Sequence, residues 1–181
     1  MSKRFPIPDF DRDQYKNLAW LKPQGLSSNE ALKAGNAAAS RPIDVTINSQ
    51  LAAKYKFEGE HLHAMMCTLP PGPVCITGRS WAWPVQRALI LDSLDASSAK
   101  VIADWTTPRP MSTRIGPDSG IEHEGGPVYV LTGHRYGDHW ISNRSLGGGK
   151  SPGTAHGFSV LSASDEEIND FHACNIYFSW K

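Results

Sequence analysis

KYKFEGEHLHAMMC (residues 54–67) alternates in the period of two that marks a β-strand, and its reading decides what lies inside the fold. Taken as one strand from Lys54 to Thr68, it places Tyr55, Phe57, Gly59, His61, His63, Met65 and Cys67 on one face. Lys54, Lys56, Glu58 and Glu60 fall on the other, so both histidines share the apolar, inward side. The same test places His156 beside Phe158 and Val160, and His172 beside Cys174, Ile176, Phe178 and Trp180.

Working outward, the same period recurs at Ile43 to Ser49, Val74 to Thr77, Arg87 to Ser93, Lys100 to Thr107 and Pro127 to Thr132. It returns at His139 to Asn143, His156 to Ser162 and His172 to Trp180. Between these runs lie LPPGP (69–73), LDASSA (94–99), RIGPDSG (114–120), EHEGG (122–126) and GGGKSPG (147–153). They read as turns, because Gly admits positive φ, Pro fixes φ, and Asp or Ser bonds to nearby backbone. About nine short strands with that punctuation predict an all-β domain over 41–181, a single β-barrel or a jelly-roll-like β-sandwich. Residues 1–40 read instead as an N-terminal arm with one or two short helices. DFDRDQYKNLAWLKP closes at Pro23, SSNEALKAG carries a capping box from Ser27 to Glu30, and GNAAASRP (35–42) has the character of a linker. SASDEEIND adds a helical turn, with Ser164 as cap and Glu167 reaching back.

Composition narrows the function. Eighteen basic and eighteen acidic residues among 181 leave zero formal charge without long like-charge runs, which disfavours nucleic acid and membrane surfaces. No apolar run approaches the roughly 20 residues that span a bilayer. The start, MSKRFPIPDFDRDQY, lacks the apolar core of a signal peptide, so the expected location is cytoplasmic. Cys67, Cys75 and Cys174 show no C-x-x-C spacing and read as free thiols in a reducing compartment.

Inward histidines point to metal chemistry. Neutral imidazoles bind Zn, Fe, Ni or Cu, and H-x-H on one strand supplies two ligands about 7 Å apart at the backbone. His61, His63, His156 and His172 are the expected ligands of a divalent transition metal, with Glu122 or Glu124 as a further carboxylate donor. The alternative is that all four are hydrogen-bonded core residues. The early H-x-H and the late PGTAH, with Pro152, Gly153 and His156, resemble the two motifs of the cupin family. That resemblance implies a β-barrel with His61, His63 and His156 on the metal, although Met66, Cys67 and Thr68 stand where the family places a glutamate.

Other segments carry different chemistry. TGHRYGDHWISNRS (132–145) concentrates Arg135, Tyr136 and Trp140 as a ligand-binding surface, and Asp138 is placed to orient His139 as a general base. A solvated hairpin tip explains the same residues without a ligand. Trp81 and Trp83 would share a strand face as a carbohydrate-stacking platform. TGRSWAW places Ser80 one step from a nucleophile elbow, with Asp104 or Asp138 and His139 or His172 following in hydrolase order. RSLGGGKSPG ends like a phosphate loop, but Pro152 prevents the helix that would hold phosphate. Two functions follow. One is a metal-dependent enzyme acting on a small molecule; the other is a non-catalytic binding or self-assembling protein, either a lectin-like module or a shell or filament subunit. The second takes a glycan or small molecule, with the arm lying across a neighbouring copy.

Overall fold

The computed structural model describes residues 42–60, 62–148, 156–163, 171 and 173–180. The expected N-terminal arm and its linker, the GGGKSPG loop beyond Gly148 and the turn after Ala163 lie outside the described residues. Among the described residues, ten strands and one helix follow in order: β1 (Ile43–Thr46), α1 (Ser49–Tyr55), β2 (Phe57–Glu58), β3 (His63–Arg79), β4 (Gln86–Leu91) and β5 (Val101–Thr106). They continue with β6 (Ser119–Tyr136), β7 (His139–Ser142), β8 (Arg144–Gly148), β9 (His156–Ala163) and β10 (Asn175–Trp180). No helix among the described residues is long and apolar enough to cross a membrane.

The strands make one hydrogen-bonded sheet along the path β2-β7-β6-β3-β10-β9-β8, with β1 on β3, β4 on β6 and β5 on β4. Among the described residues the sheet is not closed, so the expected all-β fold is present without barrel closure. Among the described residues, only β2 and β7 pair in parallel. The long strands β3 and β6 pair from Met65↔Val130 to Ile76↔Ser119 and organise the rest.

Two apolar clusters fix the faces. β4 is buried on both sides. Ala88 and Ile90 pack with Met65, Val128, Phe158 and Phe178, while Leu89 and Leu91 pack with Leu51, Phe57, Leu131 and Trp140. α1 covers the second face, laying Leu51 and Ala52 on it. Cys67 and Cys174 lie in the first cluster, where burial raises both thiols, that of Cys174 to about 12.

The opening stretch is therefore not one strand. Asn48 caps α1 by accepting from the Leu51 amide at 2.8 Å, and α1 ends at Lys56 in the left-handed region (φ 59°). A two-residue strand follows before β3 begins at His63. Residues 49–55, SQLAAKY, lay two adjacent small or branched apolar groups on the sheet, and this tertiary burial overrides a local period of two. The LPPGP and EHEGG turns are also corrected. They pair with each other inside the β3–β6 ladder, from Leu69↔Gly126 to Pro73↔Glu122, with Gly125 and Gly126 at positive φ. By contrast, LDASSA turns as expected: Asp95 accepts from the Ser97 amide and from the Ser97 and Ser98 hydroxyls. These bonds lower its pKa.

Candidate functional site: an aromatic-walled cleft over an arginine–aspartate pair

On the α1 side of the sheet, Lys54, Tyr55, Lys56, Arg87, Asp104, Thr106 and Trp140 line an open cleft of about 410 Å³. That volume lies in the range of small-molecule sites. Strand register builds its base. Arg87 pairs with Thr106 and Leu89 with Asp104, so Arg87 and Asp104 are diagonal neighbours on one face. Arg87 Nε and Nη2 each donate to an Asp104 carboxylate oxygen at 2.8 Å, and Nη1 donates to the Tyr55 carbonyl at 2.6 Å. The pair is asymmetric in exposure: the arginine side chain is 11% exposed and the aspartate 40%. The guanidinium also lies 5.3 Å from the Phe57 ring and 5.5 Å from the Trp140 ring. Its planar fork and weak hydration suit that half-buried place.

The walls come from both ends of the α1–β2 connection. The Trp140 amide donates to the Lys56 carbonyl at 2.9 Å, and Phe57 pairs with Trp140 across β2 and β7. Arg135 lies 5.2 Å from the Trp140 ring. Lys54 lies 5.3 Å from the Tyr55 ring, and its ammonium donates to the Ala96 carbonyl at 2.8 Å. The cleft thus offers a carboxylate fixed in orientation, a hydroxyl, ring edges and two exposed ammonium groups.

Among the ligand-binding residues expected from sequence, Trp140 lines this cleft, and Arg135 lies against its ring. Tyr136 is 74% exposed at the end of β6. Trp81 and Trp83 lie in the β3–β4 connection, so they form no strand-face platform; Trp83 is 73% exposed. His139 Nδ1 lies 2.9 Å from a Glu58 carboxylate oxygen. Asp138 sits beside it in the exposed β6–β7 turn. Ser80 is buried and donates its hydroxyl to the Ala173 carbonyl, which corrects the exposed nucleophile expected of it.

The four expected metal ligands are not gathered among the described residues. His61 and His172 lie outside those residues, and only the backbone of His156 is described. His156 pairs with Trp180, whose neighbour Ser179 pairs with Cys75, twelve residues along β3 from His63. At about 3.3 Å per residue that is roughly 40 Å of strand. His63 instead faces Thr46 across the ladder, with its Nδ1 3.9 Å from Asp44. Among the described residues, no three His, Cys, Asp or Glu side chains converge as a metal site.

Lys54, Tyr55, Lys56, Arg87 and Thr106 were not singled out as a site by the sequence reading, and Asp104 entered it only as a candidate acid following Ser80 in hydrolase order. Arg87 and Asp104 each interrupt an otherwise apolar strand, QRALIL and VIADWT, and that interruption was the available signal.

No protein-family model and no curated protein matches the chain. Among solved structures, the C-terminal domain of the BC2L-C lectin from Burkholderia cenocepacia is similar with TM-score 0.51 and 14% identity, over 64% of this chain and 94% of that one. A Ralstonia solanacearum high-affinity mannose-binding lectin matches with TM-score 0.49 and 16% identity, over 64% of this chain and 95% of its own. The Chromobacterium violaceum lectin CV2L, in complex with alpha-methyl-fucoside, matches with TM-score 0.49 and 14% identity, over the same shares. With no family model matching, the cupin resemblance gains no support. At 14% identity, the likeness to the BC2L-C domain is one of mostly β fold.

Proposed function

We propose that the chain is a non-catalytic carbohydrate-binding β module, with the cleft beside Trp140 as its site. The observation that carries this reading is the Arg87–Asp104 pair set among aromatic rings. A sugar presents hydroxyls in fixed directions on an apolar ring, and it is held by acceptors already oriented and by aromatic carbon surface. Asp104 is fixed by two bonds to Arg87 while 40% exposed, so its remaining lone pairs face solvent and accept hydroxyl protons. Fold likeness to a lectin domain supports the same ligand class. Strand register speaks for this reading over the metal-dependent alternative, since His63 on β3 and the backbone of His156 on β9 stand at different heights of the sheet.

The test is a glycan array probed with the full chain and with Asp104→Asn. Retention of a defined glycan set by the native chain, lost in a variant that still melts cooperatively with a native-like circular dichroism spectrum, is the expected result. Binding to no glycan, or unchanged binding by the variant, would overturn the proposal.

A further inference from the structure

The charges around the cleft select among sugars. Three cationic side chains line it, Lys54, Lys56 and Arg87, against one carboxylate, Asp104. Arg87 and Asp104 satisfy each other. Glu58 faces His139, and Asp95, held by the Ser97 and Ser98 hydroxyls, also feels the charge of Lys54. Lys54 spends one of its three protons on the Ala96 carbonyl. Among the described residues neither Lys54 nor Lys56 has a carboxylate within ion-pair distance, and Lys54 has only the longer-range attraction of Asp95.

Lys56 is notable on its own account. It adopts the left-handed conformation (φ 59°) that ends α1. Glycine takes that place without the steric cost of a side chain. The fold thus holds a lysine at a strained backbone position on the cleft rim.

Resting on the carbohydrate reading above, we infer that the ligand is an acidic saccharide, one carrying a carboxylate. The carboxylate lies between Lys54 and Lys56, and the ring hydroxyls lie over Asp104 and Thr106. An excess of cations over carboxylates in the lining of a half-open site favours such an anion over its neutral counterpart, and salt weakens the preference.

The experiment titrates the full chain with trigalacturonate and with its methyl ester, and with sialyllactose and lactose. Measurements run at low and high salt, alongside Lys54→Gln and Lys56→Gly. The expected result is that at least one acid binds about tenfold more tightly than its neutral partner, with a gap that narrows at high salt. Each lysine variant should cut that preference several-fold. Lys56→Gly should do so while raising the melting temperature, so that affinity and stability move in opposite directions. Equal or tighter binding of the neutral sugars, lost in Asp104→Asn, would overturn the acidic-ligand inference and leave the carbohydrate reading standing. Absence of binding to every sugar would overturn both.

Discussion

Arg87 grips Asp104 through two parallel hydrogen bonds of 2.8 Å while its third nitrogen holds the Tyr55 carbonyl at the end of α1. One side chain thus ties β4, β5 and the helix terminus together, and the first prediction concerns that tie. In a double-mutant cycle of Arg87→Ala and Asp104→Ala followed by urea denaturation, the coupling should be about 1–2 kcal/mol, above the median surface ion pair. Arg87→Lys keeps the charge but loses the fork, so it should recover less than half of that coupling.

Gly116 lies flat against Trp105. A Cβ there would fall 2.1 Å from the indole, and φ is +69°. Gly116→Ala should cost about 2–4 kcal/mol, combining backbone strain with overpacking. Trp105→Leu should relieve the overpacking part, which thermal denaturation of the double variant would detect.

A buried polar chain offers a third test. The Asn143 amide donates to Gln86 Oε1 at 2.9 Å, and Asn143 Oδ1 lies 2.9 Å from His134 Nδ1. Gln86 and Asn143 are almost wholly buried. Asn143→Leu fits the volume but strips both neighbours of their partner, and should destabilise by about 2–3 kcal/mol in chemical denaturation.

Thiol chemistry follows burial. Cys75 is exposed, whereas Cys67 and Cys174 are buried, with the Cys174 thiol raised from 9.0 to about 12. A thiol reagent at pH 8 should modify Cys75 in the native protein, and all three cysteines once it is denatured. A raised thiol pKa stabilises the fold fully below about pH 9 and loses that contribution as pH climbs towards 12. Denaturation midpoints should accordingly fall between pH 9 and 11, and Cys174→Ala should flatten the decline.

Alternation in the sequence made most strands legible, because strands such as β9 and β10 repeat apolar groups with period two over a shared core, Phe158 with Val160 and Ile176 with Phe178. It failed where tertiary packing decides. Tyr55 and Phe57 look like strand neighbours, yet one ends α1 and the other begins β2, since Leu51 and Ala52 find a sheet face to cover. Trp140 was legible as a binding residue from the density of TGHRYGDHWISNRS. Arg87 and Asp104 were not, because their meeting depends on which strands pair and in what register, which no local period states. The inward histidines illustrate the converse: a shared face in two strands does not imply a shared height along the sheet.

The prolines inside β3 bear on how the molecule avoids its own copies. β1 pairs with β3 up to Met66 and β10 from Cys75 onward, so among the described residues the intervening edge has no strand on it. Pro70, Pro71 and Pro73 stand there, and because successive residues aim their amides to opposite sides, the run removes donors from both. An incoming strand would find carbonyls there without all the matching amides, so its ladder would lack part of its hydrogen bonds, which disfavours edge-to-edge pairing at this stretch.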